Sequence, residues 1–251
     1  MSFSIDVLGT GSDGNSIVID NELMIDIGLN VEDMSAHLRR VSAVFVTHRH
    51  GDHLRTGAVN WLATKRPTFA ENCLYLNEDS RDHVRDRAPK AWPRVTKSPV
   101  LTDSDDFVVR TRQGRQYRIE TFPLVHDVEN QGFVITNEQG ESLIHITDTM
   151  TANPAPRRKY DYLLVEGNWD EDMVADMIEN GSPAQRDRAL RNMRHLSVQA
   201  FETFVRKHSH PDSKVLQLHK SMELGSDSLM SARAGLDAFR ENLDDEDMGV
   251  E

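Results

Sequence analysis

Cysteine and long apolar runs are scarce in this 251-residue chain, and basic residues are outnumbered, 29 Lys and Arg against 41 Asp and Glu. Each shortage excludes something. A lone cysteine, Cys73, rules out internal disulfides and suits a reducing compartment. No stretch approaches the roughly eighteen apolar residues that a membrane span requires. The chain enters a strand-like segment at residues 4–8 with no charged region and apolar core ahead of it, so no secretory signal is expected. A cytoplasmic location away from any membrane follows as the expectation. No internal period and no Pro/Gly/Ser linker divides the sequence, which predicts one domain over residues 1–236. Residues 237–251 hold seven acids against Arg240 and read as an acidic tail. The formal net charge is −12, which argues against an extended surface for tracking phosphates. No RNA-binding or helix-turn-helix module is recognisable either.

Histidine, in contrast, is concentrated. Residues 48–53 read His-Arg-His-Gly-Asp-His and directly follow the apolar run Val44-Phe45-Val46-Thr47. A strand ending at Thr47 would deliver four metal-binding side chains to a loop at a sheet edge. Imidazole suits zinc and related transition metals, and the carboxylate adds charge for a second divalent ion. In extended chain His48 and His50 project to one side, while Asp52 and His53 turn away. Two residues facing each way is what two adjacent cation positions need.

The remaining pattern alternates strands with helices. Strands are expected at 3–8, 16–20, 23–27, 44–47, 68–70, 106–110, 117–125, 132–136, 142–147, 162–166 and 214–218. Helices are expected at 32–40, 56–65, 79–87, 170–180, 184–193, 198–208 and 226–243. Gly9-Thr10-Gly11-Ser12-Asp13-Gly14 satisfies GxGxxG after a strand, but Ser16–Ile19 continues as a β-branched strand, not a helix. A dinucleotide fingerprint must open a helix onto the pyrophosphate, so the loop reads as a tight connection.

The stretch at 48–53 resembles the HxHxDH signature of the metallo-β-lactamase superfamily. Three further ligands of that family have counterparts here in order and context: His126, Asp148 and His219, each just after a strand-like segment. The resemblance runs over about residues 3–221. It implies an αββα sandwich, two packed mixed sheets flanked by helices. It also implies two divalent cations, zinc by donor preference with manganese or nickel compatible. His48, His50 and His126 would hold one ion, Asp52, His53 and His219 the other, with Asp148 bridging. Asp26 matches a family position that braces the metal loop by hydrogen bonding.

Two details narrow the implied reaction. Position 50 is His, not Glu, which disfavours the diiron oxygen-reducing branch. Val165-Glu166-Gly167-Asn168 and Arg194-His195-Leu196-Ser197 resemble elements of the tRNase Z group, and still more those of small YycJ/WalJ-type hydrolases. The loop Gly11–Ser16 and the pair His126-Asp127 are similar to theirs as well. The chain departs from that pattern at Trp169 and at Thr149-Met150, and it lacks room for the inserted domain of the β-CASP ribonucleases. The resemblance thus implies a phosphodiesterase, a nuclease on DNA or RNA, working by metal-bound hydroxide attack at phosphorus. Asp52, Glu166 and His195 are its catalytic candidates, His195 protonating the leaving alkoxide while Glu166 orients it. A cyclic-nucleotide phosphodiesterase, or a thioester, lactone or β-lactam hydrolase of the same fold, is the alternative. Nucleic acid or nucleotide is the expected partner. Among the basic clusters, Arg157-Arg158-Lys159 and Arg191–Arg194 flank catalytic elements and are the candidates for phosphate contact. His37, His83, His145 and His208 read as surface or satisfied core groups.

Overall fold

Strands buried on both faces need apolar side chains in unbroken runs, and the first half of the chain supplies them. In the computed structural model, which describes residues 2–219, β1 (Ile5–Gly9), β2 (Ser16–Ile19), β3 (Leu23–Ile25), β4 (Ala43–Phe45) and β5 (Leu74–Tyr75) form one sheet in that order. Ile17, Ile19, Leu23 and Ile25 point to one side of it, and Val18 and Met24 to the other, as the period of two dictates. The second sheet runs β11 (Ser209–Leu218), β10 (Tyr160–Glu166), β9 (Ser142–Ile146), β8 (Asn130–Asn137), β7 (Gln116–Leu124), β6 (Asp106–Arg110).

Between the sheets lies one core, in which Phe45 packs on Phe133 and Phe3 on Tyr162. The outer face of the first sheet is covered by α1 (Val31–Leu38), α2 (Thr56–Lys65), α3 (Pro67–Asn72), α4 (Glu78–Arg87) and α5 (Trp92–Val95). After α6 (Glu171–Glu179) and α7 (Pro183–Asn192), α8 (Val198–His208) covers the second sheet with Phe201, Phe204 and Val205. Those positions, i, i+3 and i+4, share one helix face. Truncating Phe204 to Ala would cost about 3–5 kcal/mol on the scale of buried aromatics. Helix, sheet, sheet, helix is the expected αββα sandwich.

One element differs in type from the sequence expectation. Residues 68–70 lie in a helix, not a strand, because Pro67 occupies its first turn, where the missing N–H is no loss. The strand that pairs with β4 is instead the short β5 just beyond it. The glycine loop joins β1 to an antiparallel β2, with Gly11 and Gly14 both at positive φ, and no helix follows. The helix expected at 226–243 and the acidic tail at 237–251 lie outside the described residues.

Candidate metal centre

Strand direction decides where the site forms. β1 is antiparallel to β2 and β2 to β3, while β4 runs parallel to β3. In the other sheet β9, β10 and β11 are parallel, and β7 shares their direction through the antiparallel β8. The C-terminal ends of β3, β4, β7, β9, β10 and β11 therefore fall on one edge of the sandwich. From these ends come Asp26, the loop His48–His53, His126, Asp148, Glu166 and His219.

Asp26, Asp148 and His219 adopt φ of 61°, 49° and 51°, a left-handed conformation that is uncommon outside glycine. Asp26 is buried, and its carboxylate accepts from the Thr47 amide (2.8 Å) and from His53 Nδ1 (2.7 Å). It thereby anchors the start of the His48–His53 loop and turns His53 Nε2 toward Asp148 Oδ2 at 3.0 Å. The Thr47 hydroxyl joins the same network, 3.0 Å from both Asp26 and His48 Nδ1.

His48 Nε2, His50 Nδ1 and His126 Nε2 converge, with His50 Nδ1 at 3.1 and 3.3 Å from the other two. With Asp148 they make a group whose ligand atoms lie within 4.8 Å of one another; Asp52, His53 and Asp148 make a second. Asp148 stands between them, Oδ2 toward His48 (3.4 Å) and His53, Oδ1 against His219 Nδ1 at 2.5 Å. His219 departs from the expected grouping. It gathers with Asp148, Glu166 and His195 instead of completing the Asp52–His53 set.

The electrostatics fit cations. Burial holds the His48 imidazole well below its usual range, helped by His53, and burial also lowers His126. At His53 burial acts in the same direction, but Asp148 and Asp26 outweigh it and raise the group well above that range. Asp148 sits well below the carboxylate range because His53 and His219 overcome its burial. Neutral imidazoles that crowd one another and an ionised carboxylate between them are a donor set for divalent metals. Metal binding would displace the proton of His53.

Glu166 and His195 lie beside this cluster. The Glu166 carboxylate is fully buried and accepts from the amides of Thr149 (2.5 Å) and Leu196 (3.2 Å). Its other oxygen meets His195 Nδ1 at 3.1 Å. Burial lowers the His195 imidazole, but the hydrogen bond and charge of Glu166 more than offset it, so the net shift is upward. His195 keeps about a fifth of its side chain exposed. Trp169 Nε1 donates to the His195 carbonyl (2.7 Å), and Ser197 caps α8 by accepting from the Ala200 amide (3.0 Å). The strand end, the indole and the helix start thus fix the histidine from three sides.

A beta-lactamase superfamily domain matches residues 24–220. The chain belongs to the beta-lactamase superfamily. Its fold is similar to that of human tRNase Z, short form: TM-score 0.61, 16% identity, 90% of this chain and 97% of that one. Zn²⁺-bound PqqB from Methylobacterium extorquens aligns at TM-score 0.60 and 16% identity, over 94% and 95% of the two chains. YhfI, a metallo-β-lactamase fold protein from Bacillus subtilis, gives 0.59 and 14%, over 86% and 85%. No curated protein sequence matches at a significant level.

This superfamily chain also uses residues that sequence reasoning passed over. Asn15 is buried, its Nδ2 lying 2.9 Å from His53 Nε2 and 3.3 Å from Asp52 Oδ2, and its amide donates to the Asp52 carbonyl at 2.7 Å. The glycine loop is thereby pinned to the His48–His53 loop. Asp127 Oδ1 lies 3.4 Å from His50 Nε2 and 3.2 Å from His126 Nε2, and Oδ2 reaches Arg194 at 3.5 Å. A pairing of His126 with Asp127 was visible in sequence, but not this bridging position. His145 is a correction: it is buried with Nδ1 unpartnered, not satisfied, and burial pushes its imidazole down to about 4.

Proposed function

We propose that this chain is a metal-dependent phosphodiesterase that cleaves nucleic acid. The observation that carries this reading is the Glu166–His195 pair beside the ligand cluster. His48, His50, His126 and Asp148 would hold one cation, and Asp52, His53 and Asp148 a second, with His219 beside Asp148. Zinc matches the imidazole-rich donors best, with manganese and nickel compatible. From such cations would come Lewis acidity and an acidified water.

The side chains supply the rest. Cleavage of a phosphodiester expels an alkoxide, which needs a proton. Glu166 accepts from Nδ1 of His195 and raises the imidazole, and no hydrogen bond occupies Nε2 among the described residues. Nε2 is thus the proton source. Hydrolysis of a thioester, lactone or β-lactam has no comparable need for that pair. A cleft of about 600 Å³ adjoins it, lined by Thr10, Ser12, Asn168, Arg188, Arg191 and His195 among others. The net charge of −12 favours a second reading, a cyclic-nucleotide phosphodiesterase, since a small ligand needs no long basic track.

A substrate screen with zinc, manganese and nickel separates these readings. It would compare bis-p-nitrophenyl phosphate, single- and double-stranded DNA, RNA, cyclic nucleotides and a thioester. The expected outcome is turnover of bis-p-nitrophenyl phosphate and of at least one nucleic acid. Turnover of cyclic nucleotides alone would select the second reading, and of the thioester alone would remove both.

A further inference from the structure

A groove of about 860 Å³ runs between α8 and the loop joining β9 to β10. One end is lined by Met150, two residues beyond Asp148, and by Leu196, next to His195. The other holds Arg157, Arg158 and Lys159 from the loop, with Lys207 and His208 from the last turn of α8. We propose that this groove carries one strand of a nucleic acid past the His195 side of the site. The inference rests on the phosphodiesterase reading above and adds the path of the substrate.

Charge is the first argument. In a chain of net charge −12, the groove lining contains four Lys and Arg side chains against a single acid, Glu171. Glu171 is already engaged, accepting from the Ser197 hydroxyl at 2.6 Å. Arg158 pairs with Glu120 (2.6 Å), and Lys159 donates to the Ser209 carbonyl (2.7 Å), which holds both side chains in place. The side chains of Arg157 and Lys207 are exposed and make no ion pair or hydrogen bond among the described residues. These two are free to meet phosphates.

Shape is the second. The α8 wall of the groove contributes Ala200 and Thr203, small side chains that leave room above the helix. His208 stacks on Phe204, with centroids 4.3 Å apart and an interplanar angle of 20°, and its Nδ1 donates to the Arg158 carbonyl at 2.8 Å. A discrete phosphate is gripped by donors converging on one point. Here the cations are spread along a wall that also carries a fixed aromatic ring, the combination that suits repeating phosphates and bases of a single strand. The groove begins at Leu196 and Met150, close in sequence to His195 and Asp148, which places the strand's path next to the site.

The test replaces both free cations, Arg157→Glu with Lys207→Glu, in the full metal-loaded chain. Binding of a short fluorescein-labelled single-stranded oligonucleotide is read by anisotropy over a salt series, in a His195→Ala background that slows cleavage. The expected result is at least a tenfold loss of affinity at low salt. The slope of log affinity against log salt should shrink by about 1.4, the value for two lost single-strand contacts. The melting temperature and zinc content of the doubly substituted chain should match those of the parent, which separates lost contacts from lost folding. Unchanged affinity and salt slope would overturn the proposal, as would failure of the parent to bind the oligonucleotide. A parent that binds with the expected salt slope, loses that binding on charge reversal, yet leaves nucleic acid uncut removes the nuclease reading and supports the groove.

Discussion

At the scale of single residues, His195 and Glu166 separate metal binding from proton transfer. His195 lies 3.7 Å from Asp148 and edge-on to His219, ring centroids 4.8 Å apart, but it belongs to neither of the two ligand sets proposed for the cations, so its loss should leave them in place. His195→Ala should lower kcat on a phosphodiester by about 10²–10⁴, the usual range for a positioned general acid, with metal content unchanged by elemental analysis. Unaltered kcat would remove the proton-donor role. The pH profile gives an independent check. Glu166 raises the His195 imidazole, and the acid works only while protonated, so activity falls as pH climbs through that group's pKa. Glu166→Gln removes the charge, lowers that pKa and should move the alkaline limb to lower pH. A limb that stays in place would show that His195 is not the titrating acid. The clustering of the seven ligand-type residues was legible in the sequence because each lies just beyond a strand-like run and four of them fall within the six residues 48–53, three of these being histidine. Asn15 was not: an amide in a glycine-rich loop has an ordinary surface composition, and only the tertiary fold brings it to His53.

At the scale of elements, the site depends on loops that approach each other at backbone distance. Gly28 follows β3, and a Cβ there would lie 1.6 Å from the Asp52 carbonyl oxygen and 2.8 Å from the His53 amide nitrogen. Backbone has no soft way to yield. Gly28→Ala should therefore push the His48–His53 loop off the end of β3. It should cost roughly 1–3 kcal/mol or more in stability, as overpacking does, and weaken metal affinity. Thermal melting and zinc titration read both, and a variant equal to its parent in each would contradict this loop packing. Most strands and long helices were legible because the apolar period distinguishes them. The short elements were harder: 68–70 has strand-like composition, yet Pro67 starts a helix, and the two-residue β5 leaves no periodic signal.

At the scale of the molecule, the cluster draws on both layers of the sandwich. His48, His50, Asp52 and His53 follow the first sheet's β4, whereas His126, Asp148 and His219 follow strands of the second. Cations held there would tie the two sheets together at one edge, and Asp148 is the group common to every ligand set. That makes Asp148 the most informative residue to remove. The direct measurement is the number of cations per chain, by elemental analysis after equilibration with zinc and desalting, for the parent protein and for Asp148→Ala. Two cations are expected in the parent and at most one in the variant. Two cations retained in Asp148→Ala, or none in the parent, would contradict a bridging role for this carboxylate.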